Sequence, residues 1–295
     1  MEFDLENPLI SCDDEQPQRS GCFAALFTAE SDHMVSSVGC AVDIAARRDA
    51  VALVMEFGCT LDPLVAYLAI NYIDRFLCRR EISEKPWIVG LLSVSCISLA
   101  SKMKKSRSVL ADLQGEGGIV FDAQAIRRME LLVLAALDWR MRSITPFSFL
   151  RFFVSFFAPA PAPILRALKS HASLIILKTQ REVKMLRFKP SVLAAAALLA
   201  AAYELFPAQF PTFRAAVYSC DFVNIDELWE CSHSMSSLSV DVCDAPASDT
   251  PVTVFGRHCS SSESEPVVGS SPEVGRELKK RRFYLGHAAC SSSRG

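Results

Sequence analysis

One acid and one base lie inside an otherwise apolar helical segment of this sequence. The segment is LAINYIDRFL, residues 68–77, and the two charged residues are Asp74 and Arg75. A charge buried among apolar side chains is costly unless an opposite charge pairs with it. The sequence therefore requires a basic partner for Asp74 from another element, and the chemistry expected there is ion pairing.

Spacings typical of catalysis or of metal binding are absent from the sequence. GEGG at 115–118 does not open a periodic helix after a strand, and HExxH, GxSxG, GxGxxG, HRD and DFG do not occur. The five histidines are scattered, the 11 cysteines form no CxxC pair, and Cys231 lies too close to His233 for a zinc site. We predict no catalysis, no cofactor and no metal, with reduced thiols in a cytosolic or nuclear protein.

Composition favours a protein with a sizeable core and no membrane span. Of the 295 residues 51% are hydrophobic, and the net charge of −2 gives no global field for nucleic acid. The acidic N-terminus, MEFDLENPLISCDDEQ, is unlike a secretory signal. The longest apolar stretch, Val192 to Tyr203, is too short to cross a bilayer. We expect a soluble protein without direct contact to membranes or nucleic acid.

Proline and polar breakers divide the middle of the chain into helices, and strand signals are few. Asp62-Pro63 is a typical helix start, since Asp caps the first turn and Pro fits the first helical position. Helices are predicted at about 42–57, 62–78, 85–102 and 122–137, with a new set from Thr145-Pro146 and then 163–183, 190–204, 212–219 and 225–238.

A weak internal repeat predicts two helical bundles in tandem. Residues 85–103 resemble 189–205: both open with Lys-Pro and both are apolar on every side. A helix that is apolar all round is buried all round, so each half should wrap its other helices around one central helix. The expected organisation is a flexible arm (1–36), a first bundle (37–141), a second bundle (142–240) and a disordered Ser/Pro-rich tail (241–295).

Several stretches of residues 42–240 resemble the cyclins, most closely the plant D-type cyclins and their divergent sixth subgroup. They are RRDAV (47–51), LAINYIDRFL (68–77), KPWIVGLLSVSCISLASKMKK (85–105), FDAQAIRRMELLVLAALDWRMRSITPFSFL (121–150), FKPSVLAAAALLAAAYELFP (188–207) and VNIDELWEC (223–231), with MEFDLENPL at the start. The resemblance implies an all-α fold of two tandem five-helix cyclin folds.

The resemblance also assigns roles to four residues. It pairs Arg47 of the first helix with Asp74, and removing one member of such a buried pair should cost about 3–5 kcal/mol. It makes Lys102 and Glu130 the residues that contact a kinase partner. From the residues alone, solvent-exposed and unpaired charges remain the alternative for both pairs.

The function implied is that of a regulatory subunit that binds and activates a cyclin-dependent kinase to control the G1/S transition and division. The kinase would perform the chemistry. Two other classes remain open: a cyclin-fold transcription factor of the general-initiation type, and a helical scaffold without a kinase. A basic stripe is expected of the former, and co-purification with a kinase, with DNA or with neither would separate the three.

Two docking regions of the family are altered in this sequence. Leu-x-Cys-x-Glu, which docks retinoblastoma-type proteins, is degenerate here, as Ile10, Cys12 and Asp14. The substrate-docking run of other cyclins carries Asp49 in place of an apolar residue and Leu53 in place of Trp. Docking of a retinoblastoma-related protein is therefore a weak prediction, and substrate recruitment through the first helix is doubtful.

The tail contains candidate regulatory residues. Basic clusters in such tails serve in nuclear import, and Lys279, Lys280, Arg281 and Arg282 form one here. A solubilising charge run is the alternative. Proline-directed phosphorylation is predicted at Thr250 and Ser271. The expected location is the nucleus, with the cytoplasm as a second compartment.

Overall fold

The structure is a computed structural model that describes residues 19–34, 43–57, 61–82, 85–105, 121–157 and 159–240. Within these ranges it is all helical, without strands. The α-helices are α1 (Arg19–Ala29), α2 (Ile44–Glu56), α3 (Pro63–Leu77), α4 (Pro86–Met103), α5 (Ala123–Ala136), α6 (Phe147–Val154), α7 (Ala162–Thr179), α8 (Pro190–Leu205), α9 (Phe210–Tyr218) and α10 (Ile225–Val240). Short 3₁₀ helices span Glu30–His33, Ser155–Phe157 and Val183–Arg187.

Aspartates start three of the helices, including Asp62, which the sequence predicts as a cap. The side chain of Asp43 accepts hydrogen bonds from the first turn of α2, and Asp62 and Asp122 do the same for α3 and α5. These bonds satisfy main-chain N–H groups that a helix leaves without an internal partner. The all-helical fold and the tandem arrangement predicted from the sequence are confirmed.

Each bundle is built around one of the two repeated segments. In α4, 13 of 18 residues are buried, among α2, α3 and α5. In α8, 12 of 16 are buried, among α6, α7, α9 and α10. By length and composition α4 could cross a membrane, but 72% of it is buried inside the protein, as expected of a core helix.

Polar side chains of α3, together with Arg79 just after it, hold the chain segment that joins the two bundles. The joining segment, residues 136–143, begins with the last residue of α5 and includes two residues with positive φ, Asp138 at 52° and Trp139 at 58°. The contacts are Tyr72 Oη to the Met141 carbonyl (2.9 Å), Arg75 to the Arg140 carbonyl (2.7 Å), Arg79 to the Ala136 carbonyl (2.7 Å) and Ser143 Oγ to Asn71 Oδ1 (3.1 Å). One helix thus fixes the path of the chain between the bundles.

The prediction of a flexible arm over residues 1–36 is wrong for residues 19–34. Helix α1 lies against the second bundle through aromatic rings. The ring of Phe27 lies 4.8 Å from that of Phe149 and stacks on Phe222 at 4.6 Å, while Phe23 contacts Phe152. Such aromatic contacts stabilise beyond the area they bury, which explains why this short segment is helical.

A buried carboxylate completes the attachment of α1. Glu30, the first residue after α1, is 2% exposed and accepts hydrogen bonds from the N–H and the Oγ of Ser191, both at 2.8 Å. Ser191 lies in the first turn of α8, whose own N-cap residue, Lys189, makes no side-chain cap. Glu30 therefore caps the central helix of the second bundle from a distant part of the chain.

Candidate functional site

A buried ion pair joins the first two helices of the first bundle. Arg47 of α2 donates from Nε to Asp74 Oδ1 at 2.8 Å and from Nη2 to Asp74 Oδ2 at 3.1 Å. The two side chains are 0% and 2% exposed. The basic partner that Asp74 requires is therefore Arg47, and the fork-shaped contact fixes both the distance and the orientation of the helices.

Burial dominates the electrostatics around this pair. It raises the pKa of the Asp74 carboxyl above its ordinary value, while the charge and hydrogen bonds of Arg47 oppose the shift. Burial and the Asp74 charge also raise the pKa of the Tyr67 hydroxyl and of the Cys96 thiol. Tyr67 and Cys96 therefore stay protonated near neutral pH, which fits a structural role for the pair rather than a catalytic one.

A second ion pair lies at the surface of the same bundle. Lys102, in the last turn of α4, places its Nζ 2.6 Å from both carboxylate oxygens of Glu130 in α5. The Lys102 side chain is 58% exposed and that of Glu130 is 10% exposed. The two residues are thus paired rather than separately solvated. The Glu130 carboxylate is largely buried, and the Lys102 side chain covers it from the solvent side.

Apolar side chains of α5 flank this pair. On α5 the spacing of Arg127, Glu130, Leu131 and Leu134 places them on one side of the helix, and Leu131 is 52% exposed. An apolar surface with a few charges at its edge suits a partner helix, because the apolar area contributes affinity and the charges set the register.

The altered substrate-docking region forms a shallow depression between α2 and α4. Its volume is about 310 Å³, and it is lined by Asp49, Ala52, Leu53, Glu56, Pro86 and Val89. Two carboxylates and one Leu in place of an aromatic wall make it a poor match for an apolar peptide anchor. That substrates are not recruited through this face stays a prediction.

The other predicted site residues lie outside the described residues. These are the degenerate retinoblastoma-docking residues, the basic cluster and the two phosphorylation candidates: Ile10, Cys12, Asp14, Lys279, Lys280, Arg281, Arg282, Thr250 and Ser271. Their roles, and the nuclear location, stay predictions. Among the side chains that the structure describes, no group of three or more His, Cys, Asp and Glu could hold a metal ion.

Sequence reasoning missed the polar contacts of α3 with the joining segment and the cap formed by Glu30. The sequence shows Arg75 as a charge in an apolar helix but predicts no partner for it. Its partners are the Arg140 carbonyl and the Ser143 hydroxyl, which have no sequence signature. For α1 a signal exists: the spacing of Phe23, Leu26 and Phe27 is that of one helical face.

Known proteins resemble this chain along most of its length. The model of the cyclin N-terminal domain matches residues 28–142, and that of the cyclin C-terminal domain matches residues 144–267. The chain is 39% identical to the cyclin-D6-1 sequence of Arabidopsis thaliana, covering 96% of this chain and all of that protein. It is 44% identical to cyclin-D6-1 of Oryza sativa subsp. japonica, covering 92% of this chain and 87% of that protein.

A solved structure shares the fold. A viral cyclin from herpesvirus saimiri superposes with a TM-score of 0.62 at 15% identity, covering 74% of this chain and 96% of that one. The all-helical tandem bundles, both domain models and the near full-length relatives agree. The chain therefore belongs to the cyclin family and, within it, to the D6 group of plant D-type cyclins.

Proposed function

We propose that this cyclin binds a cyclin-dependent kinase through the surface around Lys102 and Glu130, activates it, and thereby controls the G1/S transition and division. Cyclins are regulatory subunits rather than enzymes, so the chemistry belongs to the kinase. The observation that carries the proposal is the Lys102–Glu130 ion pair, which joins α4 and α5 beside the exposed side chain of Leu131.

The proposed mechanism is a shift between two kinase conformations. An active kinase needs the lysine of its third strand paired with the glutamate of its C-helix. A partner that binds only the inward position of that helix favours the active conformation by the difference between its two binding free energies. Moving a kinase from about 1% to 99% active takes about 5.5 kcal/mol of differential affinity.

A modest apolar area can supply a differential affinity of that magnitude. Burying about 200 Å² of apolar area in the active complex alone would contribute about 5 kcal/mol. Leu131, which is 52% exposed, offers an apolar side chain of this kind at the site, and Leu134 lies partly buried one turn further along α5. The bundles contribute rigidity, because the Arg47–Asp74 pair and the central helix α4 hold the surface in one geometry before the kinase arrives.

Reconstitution tests the proposal. The full chain is mixed with candidate cyclin-dependent kinases, affinity is measured by titration calorimetry, and activity is measured on a histone substrate. The wild type should bind and activate at least one of them, and Lys102→Glu should lose both, because it sets two carboxylates side by side. Lys178→Glu is the matched control, since Lys178 is an exposed lysine in the last turn of α7.

The outcomes separate the three classes considered from the sequence. Binding and activation that Lys102→Glu abolishes and Lys178→Glu preserves support the proposal. Co-purification with DNA, or with neither kinase nor DNA, would favour the transcription-factor or the scaffold class. Activation that survives Lys102→Glu unchanged would move the kinase contact to another surface.

A further inference from the structure

Two large apolar side chains of α10 are exposed to solvent. The helix packs on α8, and its buried residues are Leu228, Cys231 and Met235. Ile225 and Trp229, one helical turn apart on the opposite side, are 51% and 64% exposed. The Trp229 ring stacks on His233, with 5.6 Å between the ring centroids. Exposed apolar residues that share one helix face, a tryptophan among them, are typical of an interaction surface.

Acidic side chains lie beside this apolar pair. Asp226 and Glu230 are exposed and each follows one member of the pair in the chain, and residues 215–240 contain no Lys or Arg. Glu230 pairs with Arg187, whereas Asp226 forms no ion pair with any residue that the structure describes. Ile225, Asp226, Trp229 and Glu230 are called the α10 face below. A partner that suits it must bring an apolar surface together with positive charge.

Helix α5 offers this combination on its own exposed side. Arg127 and Arg128 are exposed, and one turn further along the helix Leu131 and Leu132 are 52% and 59% exposed. These four residues are called the α5 face. The one acid of α5, Glu130, already pairs with a lysine of α4. The α5 face is therefore apolar and positively charged, and it matches the α10 face in both respects.

The two faces do not meet within one molecule. Both are exposed, and each helix is held in its own bundle, α5 by packing on α4 and α10 by packing on α8. Two α10 faces would oppose carboxylates with carboxylates, which is a repulsive contact. The α10 face of one molecule against the α5 face of another brings opposite charges together and covers apolar side chains on both sides. A second copy of this chain is therefore the occupant that fits.

The order of the residues along the two helices favours one register. In α5 the arginines precede the leucines by one turn, about 6 Å along the helix axis at about 1.5 Å per residue. In α10 Asp226 precedes Trp229 by three residues, about 4.5 Å. Two helices that run in the same direction therefore place Asp226 opposite the arginines when Trp229 lies on the leucines.

We propose that the α10 face of one molecule binds the α5 face of a second copy, with Asp226 against the arginines and Trp229 against the leucines. Each copy carries both faces, so a two-fold dimer would contain this contact twice. The contact is small and partly electrostatic, so the association is weak and weakens further as salt rises. Since Leu131 also flanks the Lys102–Glu130 pair, a second copy bound there would compete with a kinase, but the self-association does not rest on the proposed function.

Charge exchange between two variants of the full chain tests the contact. Arg127→Glu/Arg128→Glu makes both faces acidic and Asp226→Lys makes both basic, so each variant alone should repel itself. In an equimolar mixture each face meets a face of opposite charge on the other variant. Arg166→Glu/Lys178→Glu, at exposed positions of α7, is the matched control with the same change in net charge. Sedimentation velocity without kinase, from about 1 µM to about 300 µM, covers weak association, and circular dichroism at 222 nm verifies that each variant is folded.

The wild type and the α7 variant should show a sedimentation coefficient that rises with concentration. Each exchanged variant alone should lose at least about tenfold in association constant, and their mixture should regain the wild-type behaviour. Trp229→Ala, which leaves every charge in place, should also weaken the association by about tenfold. A wild type that stays monomeric throughout, or a mixture that associates no better than its two components, would overturn the proposal. An equal loss in the α7 variant would overturn it as well, since the effect would then follow net charge alone.

Discussion

Replacing Arg47 with Met is expected to destabilise the first bundle severely. The side chains of Arg47 and Asp74 are 0% and 2% exposed, so the substitution leaves a carboxylate in the interior without its partner. Breaking a buried pair in this way costs about 3–5 kcal/mol. For a chain of this size that corresponds to a fall of roughly 6–20 °C in Tm, at about 2–4 °C per kcal/mol.

A double-mutant cycle separates the pair from the packing of its atoms. Asp74→Ala alone should also cost about 3–5 kcal/mol, because it strands the guanidinium. Arg47→Met/Asp74→Ala removes both charges, so its cost should fall to about 1–3 kcal/mol, mostly from the cavity left behind. The coupling energy between the two sites is then at least about 3 kcal/mol.

Urea unfolding followed by circular dichroism at 222 nm measures these values. Arg48→Met is the matched control: Arg48 is the next residue of α2, its side chain is 76% exposed, and its contact with Asp49 is long at 3.7 Å. That variant should change the free energy of unfolding by less than about 0.5 kcal/mol. A single variant that costs less than about 1 kcal/mol, or a double variant equal to the sum of the singles, would refute the buried-pair reasoning.

Three further outcomes are expected. Glu30→Ala should lower the free energy of unfolding by about 1–2 kcal/mol, because Ser191 at the start of α8 loses its cap; an unchanged urea midpoint would contradict this. His33→Gln should remove a loss of stability that the wild type shows as pH falls from 7.5 to 5.5: the folded-state pKa of His33 lies below its ordinary value of 6.5, so the unfolded chain binds more protons over that window. Identical pH profiles of the two proteins would refute it. Lys105→Gly should stabilise by about 0.5 kcal/mol, since Lys105 follows the C-cap of α4 with a φ of 51° that glycine adopts without strain; a lower Tm would count against it.

Local signals were sufficient for most of the helices. Asp62-Pro63 marks the start of α3 and Lys85-Pro86 the start of α4, because caps and prolines act within one turn of the residues they precede. The need of Asp74 for a basic partner can also be inferred from a single segment, residues 68–77. Naming Arg47 as that base required the family resemblance, since several arginines could satisfy the same demand.

Contacts between segments that are distant in the sequence could not be predicted from local signals. Glu30 and Ser191 form a hydrogen bond although they lie 161 positions apart in the sequence. No local sequence pattern around either residue predicts the other as its partner. Helix α1 is short and includes Gly21, so its local preference is weak and the aromatic rings of the second bundle stabilise it. The Lys102–Glu130 bond likewise depends on how α4 and α5 pack, which the two helical patterns do not specify.

Kinase activation by a charge-exchanged cyclin is the most direct measurement of the proposed function. In Lys102→Glu/Glu130→Lys the two side chains can still pair with each other, so the bundle should remain folded by circular dichroism while the charges offered to the kinase are reversed. We expect this variant to lose binding and activation, with the wild type and Lys178→Glu active in parallel. A folded double variant that activates the kinase as well as the wild type would contradict the assignment of this surface.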